Sequence, residues 1–276
     1  MNYRRSTFTI IASLSFCSVA AQQNFHIPRR SVQPYQILGY HRWGSGDTYD
    51  QKVNNFSMQV DSFEMSSLIT LGEYKQYLAI IKKDSSEDYY RSQMPDPAIL
   101  SADDYAKYLS QKSYEAFPVA GVSWDAAMNY CKWKTLQENK NGNLQFIYRL
   151  PQISEWLSAY DYLGAAKSDM NKNFSDWTMA LYYEGSFIGR IDTFFQFDLA
   201  SAPALSDKPR DKRKRVIGDS YLFQREDIVG HLQQGYFSFD GFRHVGFRLI
   251  KRYLANNSRK SLEASILRSW GISSIH

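Results

Sequence analysis

Phe56, Met58 and Val60 alternate with polar neighbours, and the phase runs on loosely to Phe63 and Met65. That spacing predicts a half-buried strand, because successive side chains of a strand point to opposite faces. Thr70 stands where an N-cap is favoured, and Tyr74, Tyr77, Leu78 and Ile81 follow at i, i+3, i+4 and i+7, the stripe of an amphipathic helix. Residues 84–116 are polar, with Pro95 and Pro97 enclosing Asp96, and read as a long loop holding one short helix at 103–109. A short apolar run from Phe117 then ends at Ser123, the N-cap of a helix that puts Ala127, Tyr130, Cys131 and Lys134 on one face and Asp125 in its first turn.

Further along, Tyr148 to Trp156 contains a second helix start, with Pro151 tolerated before or within the first turn. Residues 164–176 read as a polar loop ending in Trp177, and the basic run Lys208 to Arg215, ahead of the apolar pair Val216-Ile217, as a solvated loop, with binding of an acidic partner or anionic lipid as the alternative. Val245 to Ile250 has the look of a closing strand, and in the polar tail Leu262, Ile266, Leu267 and Trp270 have the spacing of a short amphipathic helix. No internal repeat is visible.

The N-terminus changes the picture. Arg4 and Arg5 precede an apolar run from Phe8 to Phe16, and Ser18-Val19-Ala20-Ala21 supplies small residues for cleavage, so residues 1–21 read as an export signal. An ordinary apolar strand is the competing reading. Cleavage after Ala21 removes Cys17 and leaves Cys131 as the sole cysteine, which excludes an intramolecular disulfide. Lipidation at Cys17 is the weaker option, since bulky Phe16 precedes it. Residues 22–55, with Pro28, Pro34 and Gly44-Ser45-Gly46, read as an extended lead-in with little regular structure.

With 276 residues, 43% apolar and 16% aromatic, the chain can build a substantial core and is not of the disordered class. Removing Arg4 and Arg5 takes the formal charge from +5 to +3, so no nucleic-acid partner is indicated.

Five motifs in order resemble the formylglycine-generating-enzyme family, also called the sulfatase-modifying-factor domain, over residues 56–252. They are Val60…Phe63…Ile69-Thr70…Tyr74, then Pro118 to Trp133 (Pro-Val-x-x-Val-Ser-Trp…Tyr-Cys-x-Trp), then Arg149-Leu150-Pro151…Glu155-Trp156. An eroded Gly-Asn-x-Trp-Glu-Trp stands at Lys172 to Trp177, and Gly246-Phe247-Arg248 closes the series. The resemblance implies a single α+β domain, related to C-type lectins and low in regular secondary structure, followed by a tail at 253–276. Trp124, Trp133, Trp156 and Phe247 are expected to pack its core.

The resemblance also bears on chemistry. The family's enzyme holds copper(I) with two cysteines, a soft-ligand pairing. Aligned on Ser220, those positions fall on Phe223 and Ile228, neither of which binds a metal or attacks a thiol, so copper is not expected and the chain leans away from catalysis. Cys131 reads as an inert buried thiol. His26, His41, His231, His244 and His276 lack metal-ligand spacing. The family's calcium site beside the Trp-Glu-Trp turn maps onto Asp169 and Asp176, hard oxygen ligands suited to Ca²⁺, with solvated loop acids as the equal alternative.

Two functions are carried forward. The first is an exported, non-catalytic interaction or scaffold protein in the cell envelope, the periplasm or outside the cell, with a protein partner; peripheral membrane association and oligomerisation are compatible with it. Phe117 to Thr135, with upstream Met94-Pro95-Asp96, is similar to the gliding-motility and type IX secretion lipoproteins of Bacteroidetes, which implies a scaffold role by analogy. The alternative is a metal-dependent oxidase or sulfatase-modifying-type enzyme with relocated residues, drawing on histidines or on Asp219, Glu226 and Asp227.

Overall fold

The computed structural model describes residues 23–32, 58–139, 145–164, 174–181, 213–218, 220 and 233–253. Residues 1–21, read above as an export signal, the tail beyond Tyr253, and Phe223, Ile228, Asp169, Asp219, Glu226 and Asp227 lie outside them.

The predicted strand from 56 is two strands, β3 (Met58–Val60) and β4 (Phe63–Ser66), because the chain changes sheets at Asp61 and Ser62. β3 pairs with β2 (Arg30–Val32), whereas β4 lies between β1 (Asn24–Ile27) and β10 (Ile250–Tyr253). Asp61 at the break faces Arg29 and Arg252 at 3.9 and 3.5 Å. The described part of the lead-in, residues 23–32, is thus more regular than its proline suggests. Its β1 and β2 contribute Ile27 and Val32, both essentially unexposed, to the core.

Helix α1 (Leu71–Asp84) forms as the pattern requires. Thr70 Oγ1 accepts from the Glu73 N–H at 3.2 Å while a Glu73 carboxylate oxygen accepts from the Thr70 N–H at 2.9 Å, a reciprocal capping box. Its buried stripe includes Tyr74, Tyr77, Leu78 and Ile81, and Lys82 and Lys83 sit at the negative end of the helix dipole. The region read as a loop with one helix is richer. It folds as α2 (Glu87–Gln93), capped by Ser86, a 3₁₀ turn at Pro97–Ile99, α3 (Ala102–Ser110), capped by Ser101, and a second 3₁₀ turn at Lys112–Tyr114. Short polar helices with few apolar positions carry little periodic signal, and their serine caps are the only local mark.

Ser123 caps α4 (Trp124–Glu138), which buries Ala127, Tyr130 and Cys131. Lys134 instead snorkels to Glu138 at 3.0 Å. The end of α4 also seals β5 (Phe146–Arg149), the last strand of the sheet ordered β1-β4-β10-β5. Asn139 Oδ1 accepts from the N–H groups of Gln145 and Phe146 (2.7 and 3.3 Å), its Nδ2 donates to Phe146 O (2.9 Å), and Thr135 Oγ1 accepts from the Tyr148 N–H (2.8 Å). Helix α5 (Ile153–Leu163) starts two residues after Pro151.

The second four-stranded sheet runs β8-β7-β6-β9, with β6 (Ser175–Leu181), β7 (Arg213–Ile217), β8 (Gln233–Phe237) and β9 (Val245–Gly246). Two expectations are corrected here. Ser175 and Asp176 belong to a strand, and the described end of the basic run, Arg213 to Arg215, is strand too. Its charges are absorbed by packing, since Lys214 Nζ lies 4.0 Å from the Trp124 ring centre and Arg213 5.3 Å from that of Phe237. The predicted closing strand is likewise divided. Between β9 and β10 the chain crosses sheets, with Phe247 O and Leu249 O accepting from the Ile69 and Ser66 N–H groups at 3.0 and 2.9 Å.

Two apolar clusters result. One gathers Tyr74, Tyr77, Tyr130, Cys131, Trp177 and Phe247, and the other Ile27, Phe63, Met65, Trp156 and Ile250. Trp156 and Phe247 are fully buried as expected, while Trp124 and Trp133 pack partly buried against the first cluster.

Candidate functional site

Gln93, the last residue of α2, is buried and keyed into the core. Its carbonyl accepts from the Tyr74 hydroxyl (2.7 Å), and its side-chain oxygen accepts from the Tyr77 hydroxyl and Asn129 Nδ2 (3.0 and 3.1 Å). This anchor fixes the exit of the chain into Met94-Pro95-Asp96-Pro97. Tyr105 of α3 donates its hydroxyl to Pro95 O at 2.6 Å, and the Asp96 N–H donates to Gly121 O at 2.8 Å.

Gly121 holds φ +76°, a conformation only glycine adopts without strain, and its N–H donates to Phe242 O at 3.0 Å. Gly241 packs directly on it: a Cβ at Gly241 would stand 1.9 Å from Gly121 O. The two backbones therefore touch, and between the 94–97 segment and the turn at 238–241 an open cleft of about 440 Å³ remains. Arg91, Met94, Asp96, Tyr105, Ser123 and Phe239 line it.

The polar groups of the cleft are mostly committed. Ser123 Oγ caps α4 by accepting from the Ala126 N–H (3.2 Å), and Asp96 Oδ1 accepts from the Ala98 N–H (2.8 Å). Arg91 pairs with Glu87 at 2.9 Å. Phe239, by contrast, is 64% exposed, and its ring stacks on that of Phe237 at 5.4 Å. Burial, and then the nearby Asp96 charge, raise the carboxyl pKa of Asp240 on the same turn.

Cys131 is fully buried on the core face of α4, and burial pushes its thiol well above the ordinary range. A lone core thiol does not fit copper(I), and the residue types at Phe223 and Ile228 supply no second ligand. Asp176 is also fully buried, and its Oδ2 accepts from Trp156 Nε1 (2.7 Å) and Arg248 Nε (3.1 Å). Among the described residues its Oδ1 is buried with no hydrogen-bond partner, and Asp169, the other residue of the calcium reading, lies outside them. Of the histidines, His26 is exposed on β1 and His244 is buried behind the cleft; His41, His231 and His276 lie outside the described residues. Among the described residues no group of three or more His, Cys, Asp or Glu is placed to hold a metal ion.

The sequence reading singled out Asp96 and Ser123 of the cleft but neither Gly121, Gly241 nor Phe239. The dipeptide Asp240-Gly241 was the available signal, since it marks a turn.

The sulfatase-modifying factor enzyme 1-like domain, FGE-sulfatase, matches residues 39–187, more than half of the chain. The chain belongs to this family. Among solved structures, a crystal structure of CarF is similar to it with a TM-score of 0.50 and 14% identity, covering 85% of this chain and 99% of that one. At that identity the likeness concerns the fold of this FGE-like chain alone. No curated protein is matched.

Proposed function

We propose that this FGE-like chain is an exported, non-catalytic binding protein that holds a polypeptide partner in the cleft between the 94–97 segment and the 238–241 turn. The observation that carries the reading is the cleft itself. Its floor is two touching glycine backbones, its rim offers an exposed aromatic ring, and its hydroxyl groups are already spent on the protein's own backbone. A rigid shelf of this kind suits recognition, since large aromatic side chains anchor interfaces at low entropic cost. Among the described residues neither a thiol nor an imidazole lines it.

The export signal read at residues 1–21 puts the partner in the envelope or outside the cell, and the similarity of 117–135 to gliding-motility and type IX secretion lipoproteins favours a scaffold in such an assembly. No described helix is long and apolar enough to cross a membrane.

Affinity capture from native envelope tests the reading, with wild type and Phe239→Asp as paired baits. A protein retained by wild type and lost with the variant is the expected outcome. Identical capture by both, or stoichiometric copper or iron in the purified protein, overturns it.

A further inference from the structure

The turn at 238–241 is held to the body at three points. From α4, the Asp125 N–H donates to Ser238 O and Asp125 Oδ2 accepts from Ser238 Oγ, both at 3.0 Å. From the floor, Gly121 donates to Phe242 O. Behind the turn, Tyr236 and Phe242 lie with ring centres 4.1 Å apart, and Trp177 meets them at 6.2 and 6.3 Å. His244 completes this third point. It is 6% exposed, its Nε2 lies 3.1 Å from the Tyr236 hydroxyl, and its carbonyl accepts from the Ser175 N–H at 2.9 Å.

We propose that His244 makes this turn an acid-released latch, whose protonation loosens residues 236–245 from the body and opens one wall of the cleft. The functional consequence, weaker partner binding in acid, rests on the binding reading above. With the proton of the neutral ring on Nδ1, Nε2 accepts from the Tyr236 hydroxyl, and protonation forces it to donate instead. It also places a charge on a side chain that is buried from water, and losing that hydration is costly.

The charged and titratable groups around the latch come from several elements. Tyr236 lies on β8, Arg243 precedes His244 in the chain, Asp240 is on the turn, Asp96 is on the opposite wall, and Asp125 and Lys214 come from α4 and β7. Burial, and then the Arg243 charge, holds the His244 imidazole below its ordinary value. The closed turn therefore favours the neutral ring. Its stabilisation is complete above the ordinary imidazole pKa of about 6.5 and declines as pH falls below it. Burial raises the carboxyl pKa values of Asp125 and Asp240, so the closed turn gains from their protonation, with the opposite sign. Because the carboxylates act with the opposite sign, loosening in acid comes from the histidine, and the non-titrating His244→Gln variant separates the two.

Amide hydrogen exchange on the whole protein, with no partner added, tests the latch independently of the binding reading. Rates at pH 7.5 and 5.5 are corrected for intrinsic exchange. Expected is faster exchange at 236–245 and at Gly121 in acid, by up to about tenfold per pH unit, the limit for one linked proton, with α1 unchanged. His244→Gln, which keeps an acceptor but does not titrate, removes the pH dependence. Unchanged protection at 236–245 in the wild type, an equal loss in the variant, or a loss shared equally by α1 overturns the proposal. Should His244→Gln fail to fold, the wild-type contrast between 236–245 and α1 decides alone.

Discussion

Arg149 holds both carboxylate oxygens of Glu155, each at 2.6 Å, where the two side chains are only 5% and 4% exposed. Such a pair is costly to break and much less costly to replace whole, because removing one partner strands a buried charge. Glu155→Gln is expected to lower stability by about 3–5 kcal/mol in urea unfolding, and Arg149→Met with Glu155→Leu by less. A double variant as unstable as the single one refutes this view of the pair.

The same pair sets an acid limit. Burial alone would raise the Glu155 carboxyl, but Arg149, the Gln152 N–H and Arg252 outweigh it and hold the group below its ordinary value. Its stabilisation is present above the ordinary glutamate pKa of about 4.3 and is lost as pH falls through the lower folded value. Thermal melting from pH 6 downward should show a loss starting near there that Glu155→Gln lacks.

Gly241→Ala and Gly164→Ala separate two uses of glycine. Gly164 has φ +70° with nothing within 4 Å of an added Cβ, so alanine there meets backbone strain only, about 1–3 kcal/mol. At Gly241 the added atom collides with a backbone oxygen that cannot rotate away. Its alanine variant should be the less stable of the two by melting temperature.

Thr70→Ala removes one arm of the capping box on α1 and is expected to cost about 1 kcal/mol. Urea unfolding followed by circular dichroism measures it, and no change in the midpoint would count against the cap.

Cys131 should resist alkylation in the native protein at pH 8 and react once unfolded. Melting with excess calcium and with chelator tests Asp176, whose Oδ2 serves Arg248 and Trp156; indifference to both is expected if that pairing is its whole role. A rise in melting temperature with calcium would reassign Asp176 as a ligand.

Helices with a capped, apolar stripe were legible from the chain alone, as Thr70 with Tyr74, Tyr77, Leu78 and Ile81 shows. Strand breaks were not. Alternation at 58–65 and the apolar run at 245–250 continue through points where the chain leaves one sheet for another, and hydrophobic phase carries no mark of such a crossing. Arg213 and Lys214 misled for a related reason: their charged groups lie over the rings of Phe237 and Trp124, which other segments contribute. The cleft was half visible, because Asp96 and Ser123 have local turn and cap signatures, while the contact of Gly121 with Gly241 joins positions far apart in sequence.

The side chain of Asn139 fills the place that a neighbouring molecule's strand would need along β5. A foreign strand reaching for Phe146 or Tyr148 would have to evict Asn139 and Thr135 first, trading satisfied amides for equivalent ones with no gain. That flank is therefore closed to templated stacking, and concentrating the protein should not seed fibres from it.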